Sequence, residues 1–173
     1  LLHTCCAPCS SAIIEALMQN GITPVIYYCN PNIYPREEYE IRKNECTRYA
    51  ESLGLEIVDA DYDHENWLEA VKGLEDQPER GGRCLKCFKL RLLRTARYAK
   101  ERGIKVITTT LASSRWKSLD QINEAGLWAC RAISSGNTSE NPDKVIWWDQ
   151  NWRKGGLQER RLQIIKEYDF YNQ

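Results

Sequence analysis

Five short apolar runs, separated by segments with helical spacing, constrain the fold of this chain more than any other feature. The runs are Leu1–Thr4, Pro24–Cys29, Leu55–Asp61, Lys105–Leu111 and Val145–Trp148. They are rich in β-branched and aromatic residues, and their apolar character predicts strands that are buried on both faces. Strands that alternate with helices predict an α/β fold, with a parallel sheet covered by helices on both faces.

The segments between these runs predict six helices. They cover residues 10–19, 36–53, 64–72, 84–102, 118–130 and 156–168, and Ser10 or Ser11 is the predicted cap of the first. We therefore expect one Rossmann-like domain of about five parallel strands over residues 1–173. Because Leu1 is not Met and lies in a predicted strand, we expect a truncated N-terminus, and we expect the C-terminus at Tyr-Asn-Gln to be truncated as well.

Charge excludes a strong global attraction to nucleic acid, since 24 Lys and Arg balance 24 Asp and Glu. The distribution is nevertheless uneven. Residues 37–79 hold fourteen acidic and four basic residues, whereas residues 83–105 hold nine basic residues and one Glu. The second segment is either a solvated helix face or a local docking site for an anionic partner, and charge alone does not decide between them.

Nothing in the sequence predicts export or membrane insertion. The chain lacks an apolar run of about 18–20 residues, and its first residues lack the basic flank of a signal peptide. We expect a cytoplasmic protein, in which thiols stay reduced. Its eight cysteines therefore favour metal binding or redox chemistry over structural disulfides.

Two groups of cysteines carry the strongest chemical signal. The first is Cys5-Cys6-Ala7-Pro8-Cys9 and the second is Cys84-Leu85-Lys86-Cys87. Together they predict one metal centre. The adjacent pair in the first group is unusual for structural zinc, and this group follows a predicted strand, where α/β enzymes place their sites; both details favour an iron–sulfur cluster. A structural zinc site and a thiol–disulfide enzyme are the alternatives. The other three cysteines, Cys29, Cys46 and Cys130, are predicted to be core thiols.

Four polar segments fall at the carboxyl ends of predicted strands and can share one pocket. They are residues 5–11, 30–35, 113–118 and 149–156. No GxGxxG motif follows the first strand and no P-loop motif occurs, which argues against a nucleotide-activating enzyme. His3 and His64 are predicted to pack or cap rather than to bind metal.

Five ordered motifs resemble one known family over nearly the whole chain. They are Leu2–Cys9, Tyr28–Ile33 with Glu38–Arg42, Arg83–Cys87, Thr108–Arg115 and Arg153–Gly156. In these motifs the sequence resembles the QueH type of epoxyqueuosine reductase, and the resemblance implies that the Rossmann-like domain is of the HUP type. The resemblance implies a reductase that removes the epoxide oxygen from epoxyqueuosine in tRNA, in the last step of queuosine synthesis.

The resemblance also implies the cofactors. It implies a [4Fe-4S] cluster on Cys5, Cys6, Cys84 and Cys87. It further implies a second, mononuclear iron nearby, which we assign to Cys9 together with Cys5 or Cys6. An external electron donor is expected, but the family's Cys-x-Cys pair lies just past the segment matching residues 168–173, so the electron route cannot be read from this chain.

Reduction of an epoxide to an alkene takes two electrons and two protons, so a proton donor is needed in addition to the cofactor. Asp149, Lys154 and Tyr28 lie at the predicted pocket edges, and the sequence does not rank them. With Cys9, Asp149 and Lys154 form the predicted catalytic set.

The predicted RNA contacts are basic and aromatic residues near the same pocket. They comprise Arg83, Lys86, Arg115, Lys117, Trp152 and Arg153, with Lys89, Arg91 and Arg94 as further phosphate contacts. Trp116 and Trp152 are candidates for stacking on a base, whereas Trp147 is predicted to pack in the core. The competing hypothesis is a zinc-stapled RNA-binding module without catalysis.

Overall fold

The computed structural model describes residues 1–134 and 144–171, and its centre is a five-stranded sheet. The strands are β1 (Leu2–Thr4), β2 (Ile26–Tyr28), β3 (Ile57–Asp59), β4 (Val106–Thr109) and β5 (Ile146–Trp147). They stand in the order β3-β2-β1-β4-β5, and every pair is parallel. The predicted parallel sheet is confirmed, although only the middle of each apolar run forms ladder hydrogen bonds.

Six helices cover the two faces of this sheet, as predicted. They are α1 (Ala7–Gln19), α2 (Arg36–Ser52), α3 (His64–Ala70), α4 (Gly82–Arg102), α5 (Leu119–Ile133) and α6 (Leu157–Glu167). Helix α1 packs against α2 and α6, and α4 packs against α3 and α5, which gives two helical layers. Most of the predicted polar loop 134–143 lies outside the described residues.

Helix α1 begins earlier than the sequence predicts. Its cap is Cys6 rather than Ser10 or Ser11, and the Cys6 Sγ accepts a hydrogen bond from the backbone N–H of Cys9 at 3.2 Å. Pro8 lies in the first turn of the helix, where backbone N–H groups have no partner within the helix, so the N–H that proline lacks costs no hydrogen bond. Cys9 is therefore part of the helix rather than part of the turn before it.

The packing of α5 on β5 confirms the core role of Trp147. This indole is buried, and its Nε1 donates to the Asn123 side-chain oxygen at 3.1 Å. Gly126 lies directly against the ring, and a Cβ at that position would overlap it. Across residues 1–134 and 144–171, no helix has both the length and the apolar composition that crossing a bilayer requires.

The order of the strands places a ligand crevice at the carboxyl end of the sheet. The chain passes from β1 outward to β3 and returns on the other side of β1 with β4, so β1 and β4 form a topological switch point. Cys5 follows β1, and a 3-10 turn (Thr110–Ser113) follows β4. The two segments meet across the switch point, where Cys5 Sγ lies 3.4 Å from Thr110 Oγ1.

Candidate metal centre

Three sulfur atoms of the first cysteine group converge between the end of β1 and the start of α1. The Sγ atoms of Cys5, Cys6 and Cys9 all lie within 4.8 Å of one another. Cys6 and Cys9 are joined as a disulfide, with their Cα atoms 5.4 Å apart. Metal binding at these two positions requires the reduced pair, because the ligand is the thiolate.

The second cysteine group occupies the start of α4. Cys84 is half-buried and its Sγ donates to a Glu79 carboxylate oxygen at 3.6 Å, whereas Cys87 is buried. Both groups therefore lie at the N-terminal ends of long helices, α1 and α4. The positive end of a helix dipole stabilises anions, so both positions suit a negatively charged metal centre.

A chain of buried hydrogen bonds joins the two groups. Arg91 donates from one terminal nitrogen to Cys87 Sγ at 3.8 Å and from the other to the Asn30 side-chain oxygen at 2.5 Å. The Asn30 amide then donates to the carbonyl of Thr4, the residue before Cys5, at 2.9 Å. Both groups consequently lie at the same end of the sheet. Cys84 and Cys87 are not part of the tight set of three thiols, so a shared four-cysteine centre remains a prediction.

His3 is buried beneath this end of the sheet and does not provide a metal ligand. Its Nδ1 lies 2.8 Å from Thr109 Oγ1, and its Nε2 lies 2.8 Å from the Cys29 carbonyl. Because a carbonyl only accepts, Nε2 carries the proton. Burial, followed by the charge of Arg91, lowers the pKa of His3 to about 3. The predicted packing role of His3 is confirmed.

The remaining free cysteines are core thiols, as predicted. Cys29, Cys46 and Cys130 are all buried. Burial raises the pKa of Cys29 and that of Cys130 to about 11, and it also raises the pKa of Cys46. These thiols are therefore protonated and shielded at neutral pH.

A cleft of about 310 Å³ opens beside the second cysteine group. The cleft is lined by Cys84 and Cys87, and also by Glu79, Lys117 and Trp67, among others. The Lys117 Nζ lies 3.5 Å from a Glu79 carboxylate oxygen. Burial, with Glu79 adding to its effect, raises the pKa of Cys84, while Lys117 opposes the rise. The cleft thus combines thiols with an ion pair able to hold or release a proton.

Two further clefts border the first cysteine group. One, of about 430 Å³, runs from Cys9 to Arg115 and Trp116 in the 114–118 loop. The other, of about 370 Å³, contains Cys6, Cys9 and Tyr171. Arg161 lines both clefts and donates from Nε to the Pro8 carbonyl at 3.2 Å, which fixes α6 against the start of α1.

The predicted RNA contacts fall into exposed and buried groups. Lys86 and Arg115 are exposed, while Arg83, Lys117 and Arg153 are half-buried. Trp152 is buried against Trp148 and does not offer a free face in this conformation. Trp116, in contrast, is 80% exposed. The stacking role therefore suits Trp116 better than Trp152.

The phosphate role predicted for Arg91 is wrong. This side chain is 3% exposed and is directed into the protein, towards Asn30 and Cys87. The basic composition of α4 does not reveal which of its arginines faces inward.

The predicted proton donors lie apart from the described thiol clefts. Asp149 and Lys154 are exposed and line none of the three. Tyr28 is fully buried, donates to the Tyr39 carbonyl at 3.2 Å, and has its pKa raised by burial. Their catalytic roles remain predictions.

Sequence reasoning missed several residues of the site. Glu79 and Trp67 lie outside the strand ends, so no pattern marks them. Asn30 lies in the predicted pocket segment 30–35 and Arg91 is a predicted phosphate contact, but the sequence does not predict their contact with each other. The spacing of four residues between Cys87 and Arg91 is the signal that could have placed Arg91 beside the second cysteine group.

The donor set fits an iron–sulfur centre. Thiolates are the usual ligands of such clusters, and the two cysteine groups offer five sulfur atoms at one end of the sheet. An α/β protein with such a site belongs to the class of thiolate metal or redox enzymes.

Comparison with known proteins identifies the family. The model of the family described as "Epoxyqueuosine reductase QueH" matches residues 1–173. A protein of that name from Histophilus somni is 49% identical over the whole chain, which covers 68% of the relative. Relatives of the same name from Acinetobacter baylyi and Thermotoga maritima are 47% and 32% identical, with 75% and 84% of their lengths covered.

This chain belongs to the QueH family of epoxyqueuosine reductases. It is therefore an oxidoreductase that acts in tRNA modification, as the sequence motifs predict. The alternative of an RNA-binding module without catalysis is replaced by this assignment.

Proposed function

We propose that this reductase works with a [4Fe-4S] cluster held by Cys5, Cys6, Cys84 and Cys87. The supporting observation is the buried chain of hydrogen bonds through Arg91 and Asn30, which ties the two cysteine groups to one end of the sheet. A bound cluster would supply the electrons for reduction of the epoxide, one at a time. Cys9 would bind a second, mononuclear iron together with Cys5 or Cys6, since these three sulfurs are already within 4.8 Å.

The cleft beside Cys84 is the proposed site of the reacting nucleoside. It adjoins two of the four cluster cysteines, and the Glu79–Lys117 ion pair lies within it. Lys117 can hold a proton at Nζ and donate it to a developing alkoxide. Its location makes it a better candidate for the proton donor than Asp149 or Lys154, which are outside the thiol clefts.

The 114–118 loop and the start of α4 form the proposed tRNA interface. Arg115 and Lys86 are exposed cations, and Trp116 presents an exposed indole between basic residues. Arg80 supports this loop by donating to the carbonyls of Arg115 at 2.6 Å and Trp116 at 3.0 Å. Cations would position the RNA backbone and the indole would stack on an unpaired base.

Two further parts of the proposal follow from the reaction. Each turnover would consume two electrons, and a cluster held by these cysteines would pass them one at a time, so an external electron donor has to supply both. Because the substrate is a tRNA and the thiols must stay reduced, we place the enzyme in the cytoplasm.

Metal and sulfide analysis tests the proposed cofactors. Protein prepared without oxygen should be brown and contain about four iron and four sulfide per chain, with extra iron when the second site is filled. With an excess of a low-potential chemical reductant, it should convert epoxyqueuosine in tRNA to queuosine, because the reaction takes two electrons and the cluster would pass them one at a time. A colourless protein with about one tightly bound zinc and no sulfide would contradict the proposal.

A further inference from the structure

Arg91 is a cation buried beside the second cysteine group. Its side chain is 3% exposed, and among residues 1–134 and 144–171 no carboxylate lies within salt-bridge distance of it. A guanidinium remains charged in proteins, so it cannot escape this cost by losing a proton. Burying an unpaired charge is strongly unfavourable, and an arginine in this position calls for a compensating negative charge.

Within the described part of the chain, Arg91 donates hydrogen bonds to three acceptors, and one of them can become an anion. Its Nε donates to the Cys29 carbonyl at 3.3 Å and one terminal nitrogen donates to the Asn30 amide oxygen at 2.5 Å; both acceptors are neutral. The other terminal nitrogen donates to Cys87 Sγ at 3.8 Å. Cys87 acquires negative charge when it ligates a metal as a thiolate.

We infer that Arg91 is the counter-ion of the metal centre and sets its reduction potential by donating a hydrogen bond to the Cys87 sulfur. This inference rests on the proposed cluster. A cluster with four thiolate ligands is net negative, so it supplies the charge that the buried guanidinium lacks. Hydrogen bonds to ligand sulfurs and nearby positive charge stabilise the reduced cluster, which carries one more negative charge.

The same side chain positions the ligands. Through the Cys29 carbonyl and Asn30, Arg91 is bonded to the segment that follows β2, and Asn30 in turn holds the carbonyl of Thr4. A change at Arg91 therefore acts on both cysteine groups. Arg91 is a positioning residue rather than a catalytic one, since it is buried and reaches the centre only through a ligand.

Substitution of Arg91 followed by a redox titration tests this inference. Arg91→Gln keeps hydrogen-bond donors but removes the charge, and Arg91→Lys keeps the charge but not the planar fork. Arg97→Gln removes the same charge from an exposed position of α4 and serves as the matched control. Each protein is reconstituted with iron and sulfide without oxygen, and the cluster is titrated while its reduced form is followed by electron paramagnetic resonance.

The expected result is an ordered series. Arg91→Gln should bind iron about tenfold more weakly, as is typical for the loss of a residue that supports a ligand. Its reduction equilibrium should shift about tenfold towards the oxidised cluster, which is about 59 mV for one electron. Arg91→Lys should show a smaller shift than Arg91→Gln, and Arg97→Gln should have the iron affinity and reduction potential of the wild type.

Failure of the inference is distinguishable from failure of the proposed function. A brown wild type with an Arg91→Gln variant of the same potential and iron content would overturn the role of Arg91 and leave the cluster in place. A wild type without iron and sulfide would overturn the proposed function itself. If circular dichroism shows that Arg91→Gln does not fold, Arg91→Lys decides, and a wild-type potential in that variant would overturn the hydrogen-bond part.

Discussion

Arg91 and Arg115 lie at the same end of the sheet but in opposite surroundings. Arg91 is 3% exposed and bonded to three acceptors in the interior, whereas Arg115 is exposed in a loop that also presents Trp116 at 80% exposure. The buried network contacts Cys87 Sγ and the carbonyl of Thr4, the residue before Cys5, so it can hold the two cysteine groups in fixed geometry. The exposed loop has side chains free to meet a large anionic partner. The comparison separates the proposed cofactor region from the proposed RNA interface.

Thiol labelling should show the largest difference between interior and surface. In the reduced, metal-free protein at pH 8, iodoacetamide should modify Cys5 and Cys84 well before Cys29 and Cys130. A pKa of about 11 leaves roughly one thiolate in a thousand at pH 8. Peptide mass spectrometry gives the extent of labelling at each position.

The rate at which a buried thiol is labelled should rise with pH. Because the pKa of Cys130 is raised, its labelling rate should increase about tenfold per pH unit until the pH approaches about 11. Metal loading should then protect Cys5 and Cys84 without affecting Cys130. Equal labelling of Cys130 and Cys84 at pH 8 would show that the core thiols are accessible.

Replacement of Trp116 should produce the next largest effect. Trp116→Ala should weaken tRNA binding by about 1–3 kcal/mol, or roughly 5- to 150-fold, because one stacked base loses its partner. Trp116→Phe keeps an aromatic face and should retain most of the affinity. Fluorescence anisotropy with a labelled anticodon stem-loop measures both, and an alanine variant that binds like the wild type would remove Trp116 from the interface. Iron content should not change in either variant.

Replacement of Arg115 should have the smallest effect. Arg115→Gln should lower the slope of log affinity against log salt by about one, because one phosphate contact is lost. Arg115→Lys keeps the charge and should keep the slope. The measurement is the same anisotropy titration at several salt concentrations, and an unchanged slope for Arg115→Gln would place this residue away from the backbone of the RNA.

The fold could be predicted from the sequence because its signals are local. Apolar runs such as Ile26–Tyr28 and turn residues such as Gly103, which adopts a φ of 70° after α4, mark the elements directly. The start of α1 was misplaced because Cys6 caps the helix, and sequence patterns favour serine in that role. The error mattered, since it left Cys9 outside the helix.

The candidate site could be predicted only in part. Paired cysteines are a distinctive motif, and the rule that ligands bind at strand ends brings them together. The inward direction of Arg91 and the position of Glu79 beside Cys84 depend on how α4 and the 73–83 loop pack. The basic composition of α4 predicts an RNA contact at Arg91. Tertiary packing decides whether a helix residue is buried, and it cannot be read from a run of basic residues.

The central claim is that the two cysteine groups hold one centre, and sulfide analysis of single variants tests it most directly. Cys5→Ala and Cys84→Ala, each prepared without oxygen, are compared with Cys130→Ala, which removes a core thiol far from the proposed ligands in sequence. A shared cluster predicts that either of the first two changes abolishes the brown colour and the acid-labile sulfide, while Cys130→Ala retains both. If Cys84→Ala kept its full sulfide content while Cys5→Ala lost it, the α4 cysteines would not be ligands and the account would be wrong.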